Sequence, residues 1–300
     1  MGSITRTIQK LVIHTRGEQF FVSLRNHAAV LRRLVPRSMR HRFTSFGKFV
    51  PHASDYPEND HHPLTRDNTR FLINRSDYVQ WRLFYGVRDH ALKEARKAAA
   101  AGGCILDVGA NFGAFSLRLA RHVHDQRLQN VHIHAFEPNA FCIGNFYQNL
   151  ALNPELHGLV SLHSFGLGSN DEDRTFDFTH RNSGAGRVVN GVGKMPVHLK
   201  RLDDFITDLR PGKIAFIKLI AEGFEPRILE GARETIDRFR PPLFIEVTPS
   251  WWQEHNASVP MVLETLRGLG YKFLTERHNE LVTFQESDLT SFQFNLFAYR

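Results

Sequence analysis

Between residues 104 and 269 the chain alternates two patterns. Short apolar blocks, CILDV, HIHAF, LVSLHSF, AFIKL and PLFIEV, are rich in β-branched and aromatic residues and show no regular polar alternation. Around them, apolar residues recur every three to four positions near 113–122, 138–152, 224–239 and 259–269, the spacing of one helix face. An earlier helical stretch over about 78–99 stops at AAAAGG. Strands without alternation are buried on both faces, and strands interleaved with helices pair in parallel. The pattern therefore predicts an α/β fold: a mostly parallel sheet with helices on both faces. Ligands of such sheets bind beyond the carboxyl ends of the strands, so the residues that follow each apolar block are the first candidates for chemistry.

Three hundred residues at 42% apolar content can bury one large domain and an appendage. No run approaches the roughly 20 apolar residues of a membrane span. Cys104 and Cys142 lack metal-type spacing, which favours a reducing, cytoplasmic setting and predicts no metal site. The charge is uneven. Residues 1–50 hold ten Lys or Arg against Glu18 alone, a charge of +9 in a chain whose total is +7, so the remainder carries −2. This arm mixes apolar and basic residues at near-helical spacing; it could lie on an anionic membrane surface, act as a transit peptide, or pack as an amphipathic helix. MGSITR lacks the residue pattern of a myristoylation site. Residues 51–77, rich in Pro, Asp, Asn and His, read as linker. The division is a basic arm and linker over 1–77 and one domain over 78–300. Nothing resembling an RNA-binding domain accompanies the arm, so nucleic acid is not the expected partner.

The strongest motif is ILDVGANFGAFSLRLA. Asp107 lies at the strand end, Gly109 and Gly113 permit a tight turn, and the following helix offers free N–H groups. Twenty-four residues past Gly113, AFEP places Glu137 at the next strand end, where an acid can accept hydrogen bonds from both hydroxyls of a ribose. Dinucleotide enzymes need a second glycine where this chain has Asn111, so a pyrophosphate is disfavoured. S-adenosylmethionine, with a carboxylate and an ammonium but no phosphate, suits Asp107, Asn111 and the turn. Phe112 and Phe165 could flank an adenine, or simply pack in the core.

The fourth block runs into FIKLIAEGFE, an apolar run broken only by Lys218 and followed by Glu222 and Glu225. Glu222 could serve chemistry or cap the next helix, and capping is the expected role of Glu225, beside Pro226. Asp203 and Asp204 of RLDDF could act as bases or caps. Glu246, His163 and His180 are further candidates, the last within THRNSGAGR, which could be a lid or a hairpin joint.

DVGANFGAFSLRLA, AFEPNAFCIGNFYQNLALN, RLDDF, IKLIAEGFEPRILEGA and PPLFIEV, in this order, resemble the FkbM family of S-adenosylmethionine-dependent methyltransferases over roughly residues 78–300. The resemblance implies a Rossmann-like class I methyltransferase fold with a mostly parallel seven-stranded sheet. It implies O-methylation of a hydroxyl on a small-molecule natural product or sugar. S-adenosylmethionine would be held by Asp107, Gly109, Asn111, Gly113, Glu137 and Phe165, with Glu222, Asp203 and Asp204 as the catalytic candidates. One departure stands out. The family commonly writes Ile-Asp-x-Glu-Gly at the fourth strand end, and this chain has Ile220 in place of the Asp. That loss motivates the alternative of a non-catalytic donor-binding or scaffold protein; a dinucleotide oxidoreductase is the second alternative.

Overall fold

The alternation becomes one eight-stranded sheet in the computed structural model, which describes residues 50–189, 195–277 and 280–300. The basic arm, residues 1–49, lies outside the described residues. In chain order come the hairpin β1 (His61–Arg66) and β2 (Thr69–Asn74), then α1 (Tyr78–Tyr85), α2 (His90–Ala99), β3 (Gly103–Val108) and α3 (Ala114–Asp125). They are followed by β4 (Val131–Phe136), α4 (Ala140–Ala151), β5 (Val160–His163), β6 (Gly166–Leu167), β7 (Glu172–Thr179), β8 (Asn182–Val189) and β9 (Met195–Lys200). Next are α5 (Leu202–Leu209), β10 (Ile214–Leu219), α6 (Glu225–Glu230), α7 (Arg233–Phe239) and β11 (Leu243–Val247). The chain closes with α8 (Pro249–Glu254), α9 (Val259–Gly268), β12 (Lys272–Arg277), β13 (Glu280–Thr283) and β14 (Phe294–Tyr299).

The large sheet has the order β13-β12-β14-β11-β10-β3-β4-β5. Its five strands from β11 to β5 are parallel, and β14 runs antiparallel between β11 and β12. All six residues of β10 are buried, as are Ile105, Leu106, Ile133 and Ile245, in keeping with blocks that lack polar alternation. Each large apolar side chain so buried contributes about 1.5–3 kcal/mol. A second sheet, β6-β9-β7-β8, grows out of the segment between β5 and α5. Most of THRNSGAGR belongs to strand β8, so the segment is part of a hairpin.

Three segments differ from the sequence pattern. The helix expected over 78–99 is two helices, because Gly86 closes α1 in the left-handed region (φ 79°) and Asp89 caps α2 by accepting from the Leu92 N–H at 2.9 Å. The helix expected over 224–239 breaks at Gly231, where a Cβ would stand 2.0 Å from the Gly168 carbonyl oxygen. The apolar spacing continues through both breaks and hides them. Residues 51–77, polar enough to read as linker, contain the β1–β2 hairpin, turned by Asp67 and Asn68 at φ 49° and 58°.

The chain divides into two compact units. The smaller takes the described residues up to Leu64 with Phe71–Arg88 and His180–Ser183. Within it the Trp81 indole donates to the Pro51 carbonyl at 2.9 Å and Arg75 pairs with Asp60 at 2.7 Å. The larger unit holds both sheets' remaining residues and every strand end discussed below.

Candidate active site

The turn after β3 is built on a buried ion pair. Asp107, fully buried, lies in register with Lys218 of the neighbouring β10. Lys218 Nζ donates to Asp107 Oδ1 at 2.7 Å and to the carbonyls of Gly109 and Val108 at 3.1 and 3.3 Å, which occupies all three ammonium donors. Asp107 Oδ2 accepts from Ser116 Oγ at 2.6 Å. A buried charge pair is tolerable only when its remaining hydrogen-bonding capacity is met in this way. Asp107 thus braces the turn from beneath, tying β3 to β10 and to the first turn of α3.

Above the pair, Gly109 (φ 75°) presses against the fourth strand end: a Cβ there would stand 1.8 Å from the Ile220 carbonyl oxygen. Asn111 is left-handed (φ 50°), and its Oδ1 accepts from the Phe112 N–H at 2.8 Å. Gly113 (φ 89°) opens α3 against the Phe146 ring, 2.9 Å from where a Cβ would be. Glu137 accepts from the Asn111 N–H at 2.8 Å through Oε2 and from the Asn139 N–H at 2.9 Å through Oε1. Burial pushes its carboxyl up to about 7, against the opposing pull of those two N–H groups and of Lys218. The structure therefore brings Asp107, Gly109, Asn111, Gly113 and Glu137 together. Phe165 stands next to the Phe136 ring at 5.7 Å, in a cluster with His163 and Phe205, with Lys200 Nζ 5.1 Å from its own ring centre. Phe112 is buried core.

Beyond β10 the chain makes a second tight turn. The Phe224 N–H donates to the Ala221 carbonyl at 3.1 Å, and both residues between them have positive φ, Glu222 at 51° and Gly223 at 97°. A left-handed conformation costs a non-glycine residue about 1–2 kcal/mol. Glycine is required at 223, because a Cβ would meet the Trp251 Cβ at 2.6 Å. Glu225, buried in the first turn of α6, reaches back: Oε1 accepts from the Ala221 N–H at 2.7 Å and Oε2 from Trp252 Nε1 at 3.0 Å. Its carboxyl is pushed up to about 7, by burial first, with the charge of Glu246 adding to the rise. The cap expected of Glu225 is thus a brace for the preceding turn, and Glu222 sits half-buried at that turn's corner.

The remaining candidates are placed elsewhere. Asp203 is buried and accepts from the Thr235 N–H at 2.8 Å and the Glu234 N–H at 3.3 Å, so it caps α7, a different helix from the one it opens. Asp204 is exposed and pairs with Arg201 at 3.2 Å. His163 faces His134 at 3.1 Å between nitrogens and stacks on Phe136 at 4.9 Å. Burial holds both histidines down at about 4, which makes His163 a poor base. Glu246 is partly buried on β11, and His180 is exposed at the hairpin tip of the smaller unit. Among the described residues, no group of three or more His, Cys, Asp or Glu could hold a metal ion.

Ser116 and Trp252 are the site residues that sequence reasoning missed. Lys218 was visible as the one charge in an apolar strand, a residue type almost never fully buried without a partner, yet its partner lies 111 positions away.

A family model described as the Methyltransferase FkbM domain matches residues 107–273. The chain belongs to the FkbM methyltransferase family. S-adenosylmethionine is the cofactor of this family, and the sheet is the Rossmann-like class I methyltransferase arrangement, with β13 as an eighth strand at one edge. Methyltransferase sdnD of Sordaria araneosa is 29% identical over 162 residues, which are 43% of this chain and 60% of that protein. This FkbM chain thus matches less than two thirds of that relative's length. A methyltransferase FkbM structure from Methylobacillus flagellatus KT superposes with a TM-score of 0.43 at 19% identity, covering 66% of this chain and 44% of the other. An rRNA methylase from Streptococcus thermophilus gives 0.39 at 14% identity, covering 70% and 94%. The two superpositions are too loose to bear on the acceptor.

The first turn keeps hydrogen-bonding capacity in reserve. Glu137 has two of its roughly four acceptor positions taken by N–H groups, which leaves capacity for a ribose diol.

Proposed function

We propose that the protein methylates a hydroxyl of a small-molecule natural product or sugar. The observation that carries this reading is the convergence of two braced turns at adjacent parallel strand ends, one shaped for the donor and the other presenting Glu222. Bound S-adenosylmethionine supplies an electrophilic methyl group. Glu137 would hold the ribose, and the Gly109–Gly113 turn with Asn111 would hold the methionine end. Glu222 would orient the acceptor hydroxyl and receive its proton, the part an Asp at 220 would otherwise share. Alignment supplies much of the rate in a displacement of this kind, and a general base adds about 10²–10⁴-fold, so a site without that Asp remains competent. Asp203 and Asp204, engaged in helix packing and a surface pair, have no part in this proposal. The basic arm is proposed either to pack on the domain as an amphipathic helix or to contact an anionic membrane surface.

The test is calorimetry with S-adenosylmethionine, followed by transfer of labelled methyl to a panel of hydroxyl compounds. Glu137→Ala should weaken donor binding by about 1.5–3 kcal/mol, the worth of hydrogen bonds to a charged group; unchanged affinity refutes the site. Ile220 favours one second reading, a donor-binding protein without catalysis, which would bind the donor and label no acceptor.

A further inference from the structure

A polar cleft opens where the second turn ends. It has a volume of about 690 Å³, its open mouth included, and lies among the loop after β6, strands β7 and β8, the start of α6 and the end of α8. Phe224, whose N–H closes the Glu222 turn, forms part of its wall, and His255 meets the Phe224 ring edge-on at 5.0 Å. The cleft therefore begins two residues from Glu222, beyond the carboxyl ends of β10 and β11, where ligands of such sheets bind.

Its charges are numerous and balanced. Arg174 pairs with Glu172 at 3.1 Å and Arg227 with Glu230 at 3.0 Å. Glu254 pairs at 3.4 Å with Arg187, which lies 5.6 Å from the Trp251 ring centre. Every guanidinium of this wall thus faces a carboxylate. An anion entering here must compete with a carboxylate already in place, and a cation with an arginine. A neutral ligand rich in hydroxyls gains without breaking any pair, because a guanidinium has more donors than one carboxylate uses and a carboxylate has more lone pairs than one arginine fills. Asn170 and Asn256 add amides that both donate and accept. The Phe224 and His255 rings offer an apolar edge for the C–H face of a ring-shaped polyol.

We propose that this cleft binds a neutral, polyhydroxylated group of the acceptor, a glycosyl unit in chemical class, and delivers a hydroxyl towards Glu222. The assignment rests on the functional reading above and adds to it where the acceptor is held and by which side chains.

The experiment uses the full chain and records the His255 imidazole resonances, assigned with His255→Gln, and Trp fluorescence. The probes are methyl α-D-glucopyranoside and sucrose, set against glucuronate, inorganic phosphate and glycine. Saturable shifts with the neutral glycosides, with glucuronate binding no tighter than the glucoside, are expected. Arg227→Ala and Glu254→Gln should each weaken that binding about tenfold while S-adenosylmethionine affinity by calorimetry stays unchanged. Response to no glycoside, tighter binding of glucuronate, phosphate or glycine, or glycoside binding indifferent to both substitutions overturns the proposal. Glycoside binding without donor binding would remove the proposed function and leave the cleft; donor binding without glycoside binding would do the reverse.

Discussion

The turns after β3 and β10 are alike in construction and differ in where each brace comes from. Each places one non-glycine residue in the left-handed region, Asn111 at φ 50° and Glu222 at φ 51°. Each is held by a buried glutamate that accepts two N–H groups and is pushed up to about 7. At the first turn the brace, Glu137, comes from the next strand end. At the second it comes from Glu225, three residues down the chain, with Trp252 as its other partner. The first residue, Asn, tolerates its conformation through a local side-chain bond, whereas a glutamate visits the left-handed region far less readily than an asparagine. A side chain kept in a costly backbone state by a dedicated brace is a mark of function.

The comparison can be broken at the point where the turns touch. Gly109→Ala should cost about 2–5 kcal/mol, combining a left-handed alanine with a backbone collision, and should lower the melting temperature accordingly. A tolerated alanine would show that the turns are independent. Lys218→Met leaves Asp107 buried and unpaired, a loss of about 3–5 kcal/mol. Replacing Asp107 and Lys218 together by Leu and Met should cost less than the sum of the single changes, as read from denaturant unfolding; additivity would show that the pair is not a unit.

A smaller effect is visible in pH. Glu137 and Glu225, raised to about 7, give stability that is present below the unfolded value near 4.5 and lost as pH rises through 7. His134 and His163, lowered to about 4, give stability that is present above 6.5 and lost as pH falls through 4. Between pH 4.5 and 6.5 the two pairs oppose each other. His134→Phe with His163→Phe should therefore unmask a melting temperature that falls from pH 5 to pH 7; a profile as flat as the parent's would show that the glutamates do not titrate as described.

The smallest effect separates the turns most sharply. Glu222→Gly should stabilise the fold by up to about 1 kcal/mol by relieving a left-handed residue while lowering methyl transfer. Asn111→Gly should gain less, since Asn already visits that region readily. Equal gains would mean that Glu222 is under no special strain.

The sheet was legible because its blocks are short, predominantly apolar and interleaved with helical spacing, and the turn after β3 because Gly109, Gly113 and Glu137 stand at fixed separations. The second turn was half legible. Glu225 beside Pro226 has the local signature of a helix start, and nothing near it in the chain announces Trp252, 27 positions on. Asp203 carries the same signature and caps a helix 32 positions away. Local spacing reports secondary structure; which acid braces which amide is decided by packing between segments, which spacing does not encode.

The contact between Gly109 and residue 220 is made by the carbonyl of Ile220 and not by its side chain. Any L-amino acid at 220 would present the same oxygen to the donor turn. The position is thereby free to vary: exchange of its side chain leaves the backbone support of the turn after β3 untouched. Ile220→Asp should therefore leave the support of the turn after β3 intact, since the supporting oxygen belongs to the backbone.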